Sequence, residues 1–324
     1  MAKAIRFART GGPEVLELAE VEVGEPGPGE ARVRNHAIGV NFIDVYFRNG
    51  LYPLDLPNGL GQEGAGVVEA VGPDVTHVKP GDRVAYAARP NGAYSEVRVL
   101  PAAILVRLPD DISFETGAAA LLQGLTVQYL FRQTWKLAPG QTVLFHAAAG
   151  GVGLIACQWA RAIGANLIGT VGSNEKAELA RTHGAAHVIN YNTEDVVQRV
   201  LDITQGAKVP VVFDSVGKDT FARSLDCLAP LGLMVSFGNS SGAVPPFALS
   251  ELVSRGSLFI TRPTLQTYAS TREKLEAMAA DLFQMISSGQ VSIEINQRFP
   301  LAEAAQAHIE LEARRTTGKT ILMP

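Results

Sequence analysis

The stretch His146–Gly153, HAAAGGVG, constrains this chain most, because of what stands on either side of it. TVLF before it is a short run of β-type apolar residues. VGLIACQWARAIG after it repeats apolar side chains at helical spacing, which predicts one buried face of Val152, Ile155, Ala156, Trp159, Ala160 and Ile163. A strand that turns into a helix through small residues and glycines brings the helix N-terminus, with its unpaired N–H groups, up to a phosphate. On the pattern G-x-G-x-x-G the three positions fall on Ala148, Gly150 and Gly153. Gly150 lets a pyrophosphate approach the backbone, and Gly153 lets the helix pack close to the strand. An alanine at the first position needs only an ordinary φ. The competing reading is a tight strand-to-helix turn that holds no ligand.

The chain beyond Gly153 weighs against that competitor. NLIGTV, HVIN, VVFDSV, LMVSFG and SLFIT read as further strands. Between them NEKAELARTHG, EDVVQRVLDITQ and the segment from Phe221 to Leu228 read as helices. Strands alternating with helices from Thr142 onward predict a doubly wound, six-stranded parallel sheet of Rossmann type. The first ~120 residues have another texture. ARVRNHAIGV, GAGVVEAVG, DRVAYAA and YSEVRVL are short β-type runs separated by turn clusters such as EPGPGE and KPGDR, as in a barrel or sandwich. After Pro263 the texture changes again: Glu273 to Ser287 reads as an amphipathic helix and GKTILMP as a strand. A chain of 324 residues exceeds what one core usually covers, so about two domains are expected.

The second strand of the sheet narrows the ligand. NAD-binding versions carry an acid about 20 residues after the glycines, on the ribose 2′-hydroxyl. Here that strand ends in Thr170, Val171, Gly172 and Ser173; Lys176 follows, and Tyr191 stands at the end of the third strand. One cation and two hydroxyls around a missing carboxylate suit a 2′-phosphate, so NADPH is the expected cofactor. The alternative, with Lys176 a solvated helix residue and Tyr191 an ordinary strand-end residue, stays open on these residues alone.

Other classes recede. The net charge is -4 and no Lys/Arg block stands out, which argues against nucleic-acid binding. No apolar run reaches the ~18 residues of a bilayer span, and MAKAIRFARTGG lacks the apolar region of a signal peptide. Cys157 and Cys227, both in helix-like segments, suit buried thiols of a cytoplasmic protein. His36, His77, His146, His183, His187 and His308 are scattered without a clustered ligand pattern, so no metal site is expected.

GVNFIDVYFRNGLYP, GQEGAGVVEAVG, KPGDRVAY, GLTVQYL, HAAAGGVG and VSFGNSSG together resemble the zinc-free quinone oxidoreductases, the zeta-crystallin-like branch of the medium-chain dehydrogenase/reductase superfamily. The resemblance runs from about Ala4 to Met323. It implies a GroES-like β-barrel catalytic domain over 1–124 and 265–324, a Rossmann NADP-binding domain over 125–264, and an active site in the cleft between them. Zinc-dependent relatives carry a cysteine where Asn41 stands and a histidine where Gln62 stands, and they have a four-cysteine zinc lobe that has no counterpart here. Gln62 also departs from the branch's own pattern. By the resemblance, Asn41, Tyr46 and Tyr52 line the catalytic cleft, with Asn41, Phe42 and Tyr46 also near the cofactor. Thr126 and Tyr129 approach the nicotinamide and its ribose. Gly150, Gly151, Val152 and Gly153 meet the pyrophosphate, and Gly172, Ser173, Lys176 and Tyr191 surround the 2′-phosphate. Val216, Gly238, Asn239, Ser240, Ser241, Gly242, Pro263, Thr264, Leu265 and Arg314 complete the cofactor contacts.

The activity so implied is hydride transfer from NADPH to a quinone without a metal, with Asn41 and Tyr46 donating hydrogen bonds to the developing oxyanion and no indispensable proton donor. Two other readings stand beside it: an NADPH-dependent alkenal or enone reductase, and a non-catalytic NADPH-binding sensor or structural protein. A homodimer is expected, with an exposed edge strand near Leu258 as its place.

Overall fold

Val143, Leu144 and Phe145 of the strand Thr142–Phe145 are fully buried, as a strand covered on both faces of a parallel sheet requires. Leu144 pairs with Ile168 on one side and Val212 on the other. The computed structural model describes Met1–Pro324. In it six parallel strands lie in the order His187–Asn190, Asn166–Val171, Thr142–Phe145, Val209–Asp214, Leu228–Ser236 and Phe259–Thr261. By position in the chain this is 3-2-1-4-5-6, the doubly wound Rossmann order. Ile168, Leu144, Val212 and Met234 share a core with Val200, Phe221 and Leu225 from the crossover helices.

Three details differ from the sequence reading. The helix Gly151–Ile163 buries more than one stripe, because Leu154, Cys157 and Gln158 are enclosed as well. Gln158 is admitted to that environment because its side chain bonds the Leu154 carbonyl and both backbone polar groups of Ser292. The helix opening at Phe221 ends at Asp226, since Leu228 is already paired with Val209 as strand. The third strand stops at Asn190, so Tyr191 stands in the turn after it.

The other unit is organised by one long strand, Glu30–Val40, whose side chains at Ala31, Val33, Asn35 and Ala37 alternate inward. It pairs antiparallel with Glu63–Val71, with Val97–Pro101 and with Lys319–Met323. That last pairing sets Thr320 against Val40 and Ile321 against Gly39, so the C-terminal strand completes a sheet begun near the N-terminus. A smaller sheet joins Glu17–Val21, Ala2–Phe7 and Asn58–Gly59. Ile5, Phe7, Val33, Ile38, Phe47, Leu60, Val84 and Tyr94 form the core. The helix Arg272–Ser287 starts at a Thr271 cap and buries Leu275, Met278, Ala279, Leu282 and Phe283. Gly124 makes room for it, because a Cβ there would stand 2.6 Å from Leu282 Cδ2.

This unit comprises Met1–Leu125, Ala269–Gly289 and Ile293–Pro324, and the sheet unit comprises Thr126–Tyr268 with Gln290–Ser292. No helix is long and apolar enough to cross a membrane.

Candidate active site

In the sheet unit, parallel pairing puts the carboxyl ends of all six strands at one edge, and the segments that succeed them carry most of the candidate cofactor residues. The helix Gly151–Ile163 begins at Gly150 with no side-chain cap and no acid in its first turn. By contrast Ser173, Asp195 and Thr271 cap the helices they precede. The amides at Gly151, Val152 and Gly153 therefore present a positive, side-chain-free terminus, which fits a pyrophosphate. Gly153 has to be glycine, since a Cβ would lie 2.6 Å from Ala148 Cα. Ala148 keeps an ordinary φ, while its neighbour Ala147 takes φ +56° and turns the chain. Room for the Ala148 methyl comes from the adjacent strand: a Cβ on Gly169 would be 2.5 Å from Ala148 Cβ.

At the second strand the Tyr191 hydroxyl lies across Gly172, where an added Cβ would be only 2.5 Å away. Ser173 is the N-cap of Asn174–Thr182, accepting from the Lys176 amide at 3.3 Å. The Ser173 hydroxyl also holds the exposed Glu175 carboxyl below its ordinary range. Gly172, Ser173, Lys176 and Tyr191 thus come together at one strand end. Beyond the fourth and fifth strands, Val216 and the loop Gly238 to Gly242 are knitted to each other. Ser241 donates to the Val216 carbonyl from its amide at 2.9 Å and its hydroxyl at 2.8 Å, and Gly217, at φ +91°, would bring a Cβ 2.7 Å from the Gly242 carbonyl. Asn239 and Ser240 ride on the same loop, Ser240 donating to the Ser215 carbonyl at 3.2 Å. Pro263 is buried after the sixth strand, and Thr264 and Leu265 open the short helix Leu265–Tyr268. Thr126 and Tyr129 are buried on the helix Phe114–Tyr129. Tyr129 stacks on Tyr268 with centroids 4.6 Å apart, and burial pushes its hydroxyl well above the ordinary range.

A support beneath this edge was not legible from the motif. Asp214 accepts from the amides of Val216 and Gly217 at 2.7 and 3.0 Å and from the hydroxyls of Thr220 and Ser224 at 2.7 and 2.8 Å. Ser224 spends its proton on Asp214, so it accepts from His146 Nε2 at 2.9 Å; His146 Nδ1 then accepts from the Thr170 hydroxyl at 2.8 Å. Burial lowers the basicity of His146, which keeps the ring neutral for that arrangement. The histidine that opens HAAAGGVG is a strut between the second strand and the helix Phe221–Asp226.

In the barrel unit Asn41 directly follows the long strand and is the N-cap of the helix Phe42–Arg48, its amide donating to Asp44 Oδ2 at 2.9 Å. Its side chain is engaged on both ends. Nδ2 donates to Glu63 Oε2 at 2.7 Å, and Oδ1 accepts from Lys319 Nζ at 2.7 Å and from Gln123 Nε2 at 3.4 Å. Lys319 also pairs with Glu63 Oε2 at 2.6 Å, and Leu122 donates its amide to the other oxygen, Oε1, at 2.7 Å. Tyr46, Tyr52 and Phe42 form an aromatic group: Tyr46 to Tyr52 is 5.2 Å edge-on and Phe42 to Tyr46 is 5.7 Å. Gln62, buried, donates to Asn91 Oδ1 at 2.8 Å. Arg314 is exposed in the turn before Lys319–Met323, at φ +58°. No three His, Cys, Asp or Glu side chains converge as a metal-holding group. Glu63, Lys319, Asp44 and Asp214 are the functional-site neighbours that the sequence reading missed.

A 3-2-1-4-5-6 sheet in one chain with a barrel that its own C-terminal strand completes is the architecture of medium-chain dehydrogenases/reductases. Residues 27–110 match the alcohol dehydrogenase GroES-like domain family and residues 151–284 the zinc-binding dehydrogenase family. The quinone oxidoreductase of Pseudomonas aeruginosa is 64% identical over 325 residues, covering 100% of both chains. The solved structure of Escherichia coli quinone oxidoreductase complexed with NADPH superimposes with a TM-score of 0.99 at 54% identity, over 100% of each chain. The 2-haloacrylate reductase of a Burkholderia species is 46% identical over 100% of this chain and 99% of its own. The chain belongs to the quinone oxidoreductase family of that superfamily.

Proposed function

We propose that this protein is an NADPH-dependent quinone oxidoreductase that needs no metal. The observation that carries this reading is the carboxyl edge of the Rossmann sheet, where an uncapped glycine helix start lies beside an acid-free second strand with Ser173, Lys176 and Tyr191. Full-length kinship with quinone oxidoreductases, one of them solved with NADPH, supports it. Asn41 and Gln62 stand where zinc-dependent relatives place ligands. Both are carboxamides engaged with protein partners, a poor donor set for zinc.

Bound NADPH supplies the hydride, and the quinone takes it up as an aromatic quinolate. Gly150 to Gly153 hold the pyrophosphate, and Thr126 and Tyr129 flank the nicotinamide end. The loops at Val216, at Gly238 to Gly242 and at Pro263 to Leu265 complete the cradle of the sheet unit, and Arg314 and Phe42 are the cofactor contacts proposed on the barrel unit. Asn41 and Tyr46 donate hydrogen bonds to the oxyanion that develops on the substrate, and Tyr52 braces the Tyr46 ring edge-on. Orientation then supplies most of the rate, up to about 7–11 kcal/mol for a well-placed pair. Solvent protonates a product that is already a stable anion.

The similarity to a 2-haloacrylate reductase favours a second reading, reduction of an activated C=C bond, in which a proton must also reach the α-carbon. Oxidation of NADPH and NADH against 1,4-benzoquinone and an α,β-unsaturated aldehyde separates the readings. NADPH-specific turnover of the quinone is expected. A far better rate with the enal moves the assignment to C=C reduction, and stoichiometric NADPH binding without any turnover leaves a sensor or structural protein.

The protein acts as a homodimer in the cytoplasm. Its edge strand Phe259–Thr261 leaves Phe259 59% and Ile260 38% exposed, an unpaired apolar edge that a second copy covers. Two free, buried cysteines suit a reducing compartment.

A further inference from the structure

Glu63 and Lys319 open the strands on either side of Glu30–Val40, and register brings them level with Asn41, which directly follows that strand. Glu63 pairs with Gly39, and Thr320 pairs with Val40, so Lys319 stands beside Asn41. The niche is built to measure, because any Cβ on Gly39 would collide with the Glu63 carboxylate and the Ala118 carbonyl. Inside it the side chains of Lys319 and Glu63 are 2% and 0% exposed. Burying two charges is costly, and such a pair adds little net stability by itself. A role other than stability therefore has to account for it.

The geometry supplies that role. The ammonium touches Asn41 Oδ1 at 2.7 Å while the carboxylate takes Asn41 Nδ2 at 2.7 Å. Flipping the carboxamide would set NH₂ against NH₃⁺ and C=O against COO⁻, so one orientation is enforced. The ammonium also draws electron density toward Oδ1, which offsets the push of the Glu63 carboxylate on Nδ2 and keeps the remaining Nδ2–H an effective donor. We propose that Lys319, braced by Glu63, is a positioning residue that orients and polarises the Asn41 carboxamide so that its second Nδ2–H meets the substrate oxygen. This rests on the reading of Asn41 as the oxyanion donor. Lys319 does not touch the substrate.

The test compares Asn41→Ala, the charge-free pair Lys319→Met/Glu63→Gln, and the triple variant, with kcat for benzoquinone, the NADPH Kd and the thermal midpoint read in each. The pair is expected to lower kcat about 10- to 100-fold, as loss of an orienting partner behind a reactive ligand does. NADPH Kd should stay within about twofold, and Asn41→Ala should cost little more once the pair is absent, the coupling expected of residues in contact. A folded pair variant with wild-type kcat, or losses that simply multiply, overturns the proposal. Wild-type kcat in Asn41→Ala alone overturns the oxyanion-donor reading instead. Should the pair variant not fold, Lys319→Gln, which keeps a donor but removes the charge, is read the same way: lower kcat at unchanged NADPH Kd supports the proposal and wild-type kcat overturns it.

Discussion

His308 Nε2 lies 3.0 Å from the Tyr94 hydroxyl, and the Arg48 guanidinium 3.0 Å from Nδ1 decides which of them donates. Arginine has only donors, so Nδ1 accepts and Nε2 carries the proton. Tyr94 accepts from His308 and passes its own proton toward Asp44 Oδ2 at 3.0 Å, where the Asn41 amide also donates. A one-way chain thus runs from Arg48, itself paired with Glu312 at 2.7 Å, to the carboxyl that caps the Asn41 helix. Burial sets the two titratable ends apart: it pushes Asp44 up to about 7 and His308 down to about 3.

Asp44 makes stability fall as pH rises. Between its ordinary value of 3.8 and about 7 the native protein holds a proton that the unfolded chain has released. This contribution is complete below the lower value and gone above the upper. Asp44→Asn keeps an acceptor for Tyr94 and Asn41 and removes the titration. In urea unfolding from pH 4 to 8, wild type should lose ground against Asp44→Asn by up to about 1.4 kcal/mol per pH unit below pH 7. Parallel curves would show that Asp44 is ionised throughout.

His308 acts with the opposite sign. Below its ordinary 6.5 the unfolded chain takes a proton that the native ring refuses until about 3, so stability is lost as pH falls through that window. His308→Gln can still accept from Arg48 and donate to Tyr94. Its stability should therefore decline with rising pH from about 4 to 6.5, the Asp44 slope uncovered, whereas Asp44→Asn should rise over the same range. Equal slopes in the two variants would break the assignment.

Ala148 and Gly169 are a complementary pair, one methyl filling the space the other leaves. Gly169→Ala should destabilise the protein by about 1–3 kcal/mol through overpacking. Adding Ala148→Gly should return most of that loss. If the double variant is no better than Gly169→Ala, the alanine at the head of the glycine loop is not matched to the neighbouring strand.

What could be read from the sequence tracks a physical divide. The six strands, their helices and the glycine loop are local: apolar period and turn chemistry within ~15 residues announce them. The Lys319 contacts with Asn41 and Glu63 join residues 278 and 256 apart, and only antiparallel register brings them together. A lysine ahead of TILM reads as a solvated strand end. Asp44, Tyr94 and His308 are dispersed in the same way, over 50 and 214 residues. The missing acid after the second strand was legible because ribose recognition is local to one βα turn, whereas the engagement of Ser173 with Glu175 shows only in the folded turn.

The edge strand makes a separate claim about assembly. Phe259→Lys places a charge on a face that is 59% exposed in the single chain, so the monomer should tolerate it. Sedimentation should show a dimer for wild type and a monomer for the variant, with the NADPH Kd unchanged within about twofold. A variant that stays dimeric would move the interface elsewhere.

The proposed cofactor preference assigns the choice between the two nicotinamide cofactors to Lys176 and Tyr191. The ammonium stands in the first turn of Asn174–Thr182, and the Tyr191 hydroxyl crosses Gly172 at the same strand end. A charge-assisted contact to a phosphate that stays partly solvated is worth about one order of magnitude in binding. Lys176→Ala should therefore weaken NADPH about tenfold and leave NADH unchanged, since NADH offers no 2′-phosphate to lose. Tyr191→Phe, losing one neutral hydroxyl, should weaken NADPH by a few-fold in the same selective way. Fluorescence titration with both cofactors reads the difference. A variant that weakens NADH equally would mean that these residues hold the adenosine as a whole, and the acid-free second strand would no longer explain a preference for NADPH.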